Sequence, residues 1–262
     1  LESAERKGQG YADWLVTRLH RLMSPLLVLV IAWACVAGVM TLMDVRPVVI
    51  QFTSQAALIP TWFLAIYITL VLLAPVAYKF WRRLGFLSFW IFAGLAALVD
   101  VLFFAADIRW PGWTNYFWVW LGVHQLGFAW RDGRMGNAGK LLLYSALGFA
   151  VLYALVYWGP YPKAMVGSPD EGLSNTLPPK IVLMALGVFQ FGLLLAFEGP
   201  MRRALSGARL WTATVLINSM IMRVYLWHIT VMVIFGAVLY LSGGYGLGVE
   251  PGTGEWWATR PV

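Results

Sequence analysis

Hydrophobic residues in this chain run in long continuous blocks divided by short polar stretches. They do not form the one-sided stripe of a surface helix or the alternation of a half-buried strand. Seven blocks approach the roughly 20 residues that cross a hydrocarbon core. They cover residues 25–43, 59–78, 84–106, 113–130, 141–158, 181–197 and about 220–241. The pattern predicts an all-α fold, a polytopic transmembrane helix bundle of about seven spans. The stretch 209–219 reads either as an interfacial turn or as an extension of the last helix. The implied organisation is a cytoplasmic flank at 1–22, the bundle at 23–242 and an extracytoplasmic tail at 243–262. Repeats, low-complexity tracts and a soluble domain are all missing from the pattern.

Composition reinforces this reading. Apolar residues make up 60% of the 262 and charged residues 12%, where soluble domains carry roughly a quarter charged. Mean hydropathy is +0.72. A surface this apolar is stable where lipid is the solvent. The net charge of +7 would raise nucleic acid as a partner in a soluble protein, but the cations sit in short loops between apolar blocks. They read instead as topology signals and lipid contacts, which excludes nucleic acid. Cys35 is the single cysteine, so no intrachain disulfide forms.

The loops alternate in charge. Arg6, Lys7, Arg18 and Arg21, then Lys79, Arg82 and Arg83, then Arg131, Arg134 and Lys140, then Arg202, Arg203 and Arg209 fall on one side. Arg46, Arg109, Lys163, Lys180 and Arg260 fall on the other. The richer side is cytoplasmic by the positive-inside rule. The expected location is therefore a cell (inner or plasma) membrane, with the N-terminus of this chain cytoplasmic and the C-terminus outside. Trp110, Trp113, Tyr116, Trp118, Trp120, Trp158 and Tyr161 crowd the outer ends of two spans and read as an anchoring belt. The loop 160–180 is rich in proline and cannot continue a helix. It is long enough to be a lid or binding loop, and equally consistent with a passive connector.

Ionisable groups inside lipid cost roughly 2.5–3.5 kcal/mol each and mark candidate sites. Four fall within the blocks: Asp100, His124, Arg223 and His228. Asp100, near the outer end of its span, is placed to reach water. On a helix, Asn218, Tyr225 and His228 share one face, and Arg223 points elsewhere. Together they predict a polar stripe and an isolated cation turned to the bundle interior, with Asp100 as a partner for Arg223. A structural interhelical hydrogen bond or ion pair is the alternative for each, and the preferred one for His124. Arg18 and Arg21 are three apart and share a helix face. Such a pair can clamp phosphate, but from spacing alone a positive-inside flank is the better explanation. There is no P-loop, no Gly-x-Ser-x-Gly elbow and no metal-ligand spacing. GGYGLG near Gly243 lacks the strand and helix that a dinucleotide site requires.

Several segments are together more specific than any one of them. RLHRLMSP at 18–25 resembles the Arg-x-x-Arg motif of the acyltransferase family 3 membrane proteins, the group that includes O-antigen O-acetylases. PTWFLAIYITLVLLAP at 60–75 resembles a Trp-Phe-Leu span of that family, and VYLWHITVMV at 224–233 its closing Tyr-Leu-Trp-His motif. FWVWLGVHQLGFAWRDG at 117–133 and the YPKAMVG and SNTLPP parts of the loop are similar to one branch of it. The likeness covers essentially the whole chain.

The resemblance implies transfer of an acyl group, usually acetyl, from cytoplasmic acyl-CoA to a hydroxyl of an extracytoplasmic glycan or related envelope acceptor. The co-substrate is acyl-CoA, with no bound cofactor and no metal. Arg18 and Arg21 would bind the donor, while Asp100, His124, Asn218, Arg223 and Tyr225 would support the polar interior. The family's usual catalytic His precedes the Arg-x-x-Arg motif by more residues than this sequence holds. The expectation is that the first two spans and that base lie outside these 262 residues, leaving His228 as a weak candidate and the fragment inactive. A transporter or flippase, and a non-catalytic scaffold in envelope synthesis, are the competing functions. The missing internal repeat speaks against the transporter.

Overall fold

A computed structural model describes residues 10–166, 172–244, 248–249, 253–254 and 258. Arg6, Lys7, Arg260 and most of the expected tail 243–262, with part of GGYGLG, lie outside the described residues. Among the described residues there are no β-strands. The helices are α1 (Tyr11–Leu42), α2 (Pro47–Leu58), α3 (Thr61–Leu84), α4 (Phe86–Ala105), a 3-10 turn (Trp110–Thr114), α5 (Asn115–Arg131), α6 (Ala138–Trp158), α7 (Val182–Ala196), α8 (Glu198–Ala204) and α9 (Ala208–Leu241). The chain is an all-α multi-pass membrane protein.

The expected count of seven spans is not met. Among the described residues five stretches are long and apolar enough to cross a membrane, or six if α7 and α8, bent by 52° at their junction, form one broken span. The shortfall lies at α5 and, at a count of five, also at the bent pair of α7 and α8. Its 17 residues rise about 25 Å at 1.5 Å each, short of a core of about 30 Å. It also carries His124 and Gln125 in its middle. The stretch 209–219 belongs to α9, which is continuous for 34 residues. In the same way α1 runs 32 residues from Tyr11 and takes Arg18 and Arg21 onto the first helix.

The chain forms two compact units, Leu1–Ala65 with Thr212–Val262, and Ile66–Trp211. In the first, Leu29 and Trp33 of α1, Ala57 of α2 and Leu226 of α9 form the buried core. The Trp33 indole N–H donates to the Thr230 hydroxyl at 3.0 Å, and Phe63 meets Tyr225 edge-on at 5.2 Å. A buried indole needs an acceptor, and one methyl-bearing hydroxyl on α9 supplies it.

The second unit is built on helix pairs brought close by small residues. Lipid gives apolar helices no hydrophobic reason to associate, so contact depends on close backbone approach and interhelical hydrogen bonds. On α6, Gly148 lies so near α7 that a Cβ there would stand 2.6 Å from the Phe189 backbone nitrogen. On α7, a Cβ at Gly192 would stand 2.7 Å from the Leu141 carbonyl oxygen. Between them the Ser145 hydroxyl donates to the Phe189 carbonyl at 2.9 Å. α4 and α5 are joined by Ser88, which donates to Gln125 Oε1 at 3.1 Å, and α3 is tied down by the Trp81 N–H on Asp132 at 2.7 Å.

Gly148→Leu and Gly192→Leu should each destabilise the protein by about 1–3 kcal/mol or more through overpacking. Gly94→Leu, where the added side chain meets open space, is the control. The melting temperature in detergent is the measurement, and equal melting of all three would remove the close contact as a determinant of the fold.

Candidate functional site

The most organised polar cluster lies where α4 ends and the loop 160–180 returns to the bundle. Asp100 is one turn from the end of α4 and is 2% exposed, so the expected access to water is not found. Its carboxylate is fully engaged instead. Oδ1 accepts from the Asn115 amide at 2.9 Å. Oδ2 accepts from the Tyr161 hydroxyl at 3.0 Å and from the Ile181 backbone N–H at 2.8 Å. Burial and the neighbouring carboxylate push the Tyr161 hydroxyl up, which keeps it protonated and donating. Three donors from α5 and the loop thus meet the carboxylate within the second unit, while Arg223, the partner expected from the sequence, belongs to the first.

Lys180 completes the cluster. It is 1% exposed, with its ammonium 3.4 Å above the Phe103 ring. Its Nζ, like Asn115 Oδ1 and Asn175 Oδ1, has no hydrogen-bond partner among the described residues. Burial pulls Lys180 down to about 8, against the opposing pull of the Asp100 carboxylate. Asn175, fully buried, donates to the carbonyls of Pro162 at 2.7 Å and Ala164 at 3.0 Å, and the Lys180 N–H donates to the Asn175 carbonyl. Close packing finishes the seat, since a Cβ at Gly112 would come within 2.9 Å of the Pro178 ring. The described part of the loop is thus anchored at both ends.

Sequence reasoning missed most of this. Lys180 entered only as a loop charge and Tyr161 only as part of an interfacial belt. Trp110, Trp113 and Trp158 are exposed as a belt would have them. Tyr161 instead turns its hydroxyl to a buried carboxylate. The available signal was a lone acid near a helix end, facing a loop rich in donors.

The other candidates fall elsewhere. His124, half-buried on α5, lies edge-on to Phe128 at 4.6 Å, and its Nδ1 has no hydrogen-bond partner among the described residues. On α9, Tyr225 and His228 adjoin with ring centroids 5.5 Å apart. The His228 Nδ1 meets the Tyr225 carbonyl oxygen. Asn218, Arg223 and His228 are exposed in their unit. Tyr225 is half-buried, because its ring packs on Phe63. Arg18 and Arg21 are exposed on α1, and the Arg18 guanidinium lies 5.4 Å from the Trp14 ring. No group of three or more His, Cys, Asp or Glu among the described residues is placed to hold a metal ion.

A protein-family model described as an acyltransferase domain matches residues 4–259. No curated protein matches the chain, and no solved structure does.

Asp100→Ala should destabilise by about 3–5 kcal/mol, since it strands three buried donors. Proteolysis in the loop 160–180 should rise with the drop in melting temperature. Lys180→Met removes a buried amine without a hydrogen bond, and should be neutral or stabilising. The folded protein releases the Lys180 proton near pH 8 and the unfolded chain near 10.5. Between these values the unfolded state binds more protons, so stability rises with pH. Melting scans across pH 7–11 should show that rise in the wild type and lose it in Lys180→Met.

Proposed function

The chain belongs to acyltransferase family 3, and from that premise we propose that it is a membrane O-acyltransferase. It moves an acyl group, most simply acetyl, from acyl-CoA to a hydroxyl of an extracytoplasmic envelope glycan or a chemically similar acceptor. The observation that carries the reading is the family match over nearly the whole chain, on a multi-pass helical fold. In the reaction the acceptor oxygen attacks the thioester carbonyl carbon. The carbon–sulfur bond breaks, and the hydroxyl proton leaves through a base while CoA departs as its thiol.

Two features of the chain support a division of labour. Arg18 and Arg21 stand three apart and exposed on α1, and guanidinium groups match the phosphates of CoA bidentately. They serve as the donor-binding pair at the cytoplasmic side. His228, exposed on α9 beside Tyr225, serves as a supporting proton acceptor. Asp100 is a positioning residue, because its carboxylate is committed to holding the loop.

Arg18→Ala and Arg21→Ala, made in the full-length protein, should each lower kcat/KM for acyl-CoA by about 10- to 100-fold, the equivalent of lost charge-assisted hydrogen bonds. Radiolabelled acetyl-CoA turnover in membranes, normalised to protein level, is the assay. Wild-type turnover in both variants would remove the donor role of the pair. Substrate accumulation in sealed vesicles without covalent change would replace transfer by transport.

A further inference from the structure

A groove of about 410 Å³ opens on the second unit, between α3, α4 and α5. Ala77, Phe92 and Leu121 form its buried floor, and Val76 stands exposed on its rim. Two cations also line it, Lys79 and Arg83, one helical turn apart near the C-terminus of α3. Both are exposed, and neither forms an ion pair among the described residues. The negative end of the α3 dipole accounts for the preference for cations there. It does not account for their position at the rim of an apolar trough. The loop-charge asymmetry assigns this end of α3 to the cytoplasmic leaflet, where anionic lipids concentrate.

We propose that this groove is a specific site for one anionic phospholipid, with an acyl chain along the apolar floor and the phosphate held between Lys79 and Arg83. The charge complementarity selects the occupant. A zwitterionic lipid brings its own cation to the same place and gains little, whereas a singly anionic headgroup meets two unpaired cations at a low-dielectric boundary. The site uses none of the residues assigned to acyl transfer, and it would persist if the acyl-transfer reading failed.

The test is native mass spectrometry of the full chain released from nanodiscs with equal amounts of phosphatidylglycerol and phosphatidylcholine of identical acyl chains. The wild type should retain one phosphatidylglycerol with roughly 10- to 30-fold selection. Lys79→Gln with Arg83→Gln should reduce the ratio to about one. Val76→Trp, which leaves both charges in place and obstructs the rim, should lose retention of either lipid. All three positions are exposed, so the helical content is expected to stay unchanged. Equal retention of the two lipids by the wild type would overturn the proposal, as would undiminished selection in the double variant. Displacement of phosphatidylglycerol by stoichiometric palmitoyl-CoA would overturn it in favour of the acyl donor.

Discussion

A carboxylate placed beyond the reach of water has to find donors inside the protein, and Asp100 takes three from three different segments. Asn115 comes from the start of α5, Tyr161 from the beginning of the long loop and Ile181 from its end. Remove the acid and each donor is left buried and unpaired, in surroundings where such groups cost most. The direction of α4, the entry to α5 and the return of the loop are therefore set by one side chain. Lys180 belongs to the same arrangement through charge and through Phe103, without a direct hydrogen bond.

Elsewhere in the second unit the fold depends on an absence of side chain. Gly148 and Gly192 let α6 and α7 approach until backbone meets backbone, and Ser145 converts the approach into a hydrogen bond. This is how helices associate where burial of apolar surface gives no drive. The polar cluster fixes one end of the unit and the glycine contact fixes the helices that lead to it.

Much of the fold was legible because lipid imposes a coarse rule: long apolar blocks become helices. Block boundaries gave α4 and α6 almost to the residue. The rule faltered at α5, whose polar middle and short length belong to a helix wrapped by protein. It faltered also at α1 and α9, where helices extend past the apolar block because nothing stops them. For the site, Asp100 was visible as an acid in an apolar block. Its partners were not, since they come from Asn115, Tyr161 and Ile181, up to 81 positions away. Hydropathy ranks residues by cost and says nothing about which donors the topology delivers. The acyltransferase motifs were legible as an ordered set of segments, and the family match bears them out.

The Trp33–Thr230 hydrogen bond closes the first unit across 197 positions of sequence. The second unit, by contrast, is one uninterrupted stretch, Ile66–Trp211. Synthesis runs from the N-terminus, and units fold as they emerge. The order of assembly is thereby imposed by chain topology. α1 and α2 precede α9 by most of the described chain, so the indole N–H of Trp33 waits without its native acceptor until α9 is delivered. Of the two units, the one whose first helix is made before the other unit is the one completed after it, and insertion factors that hold unpaired helices would meet that unit through α1.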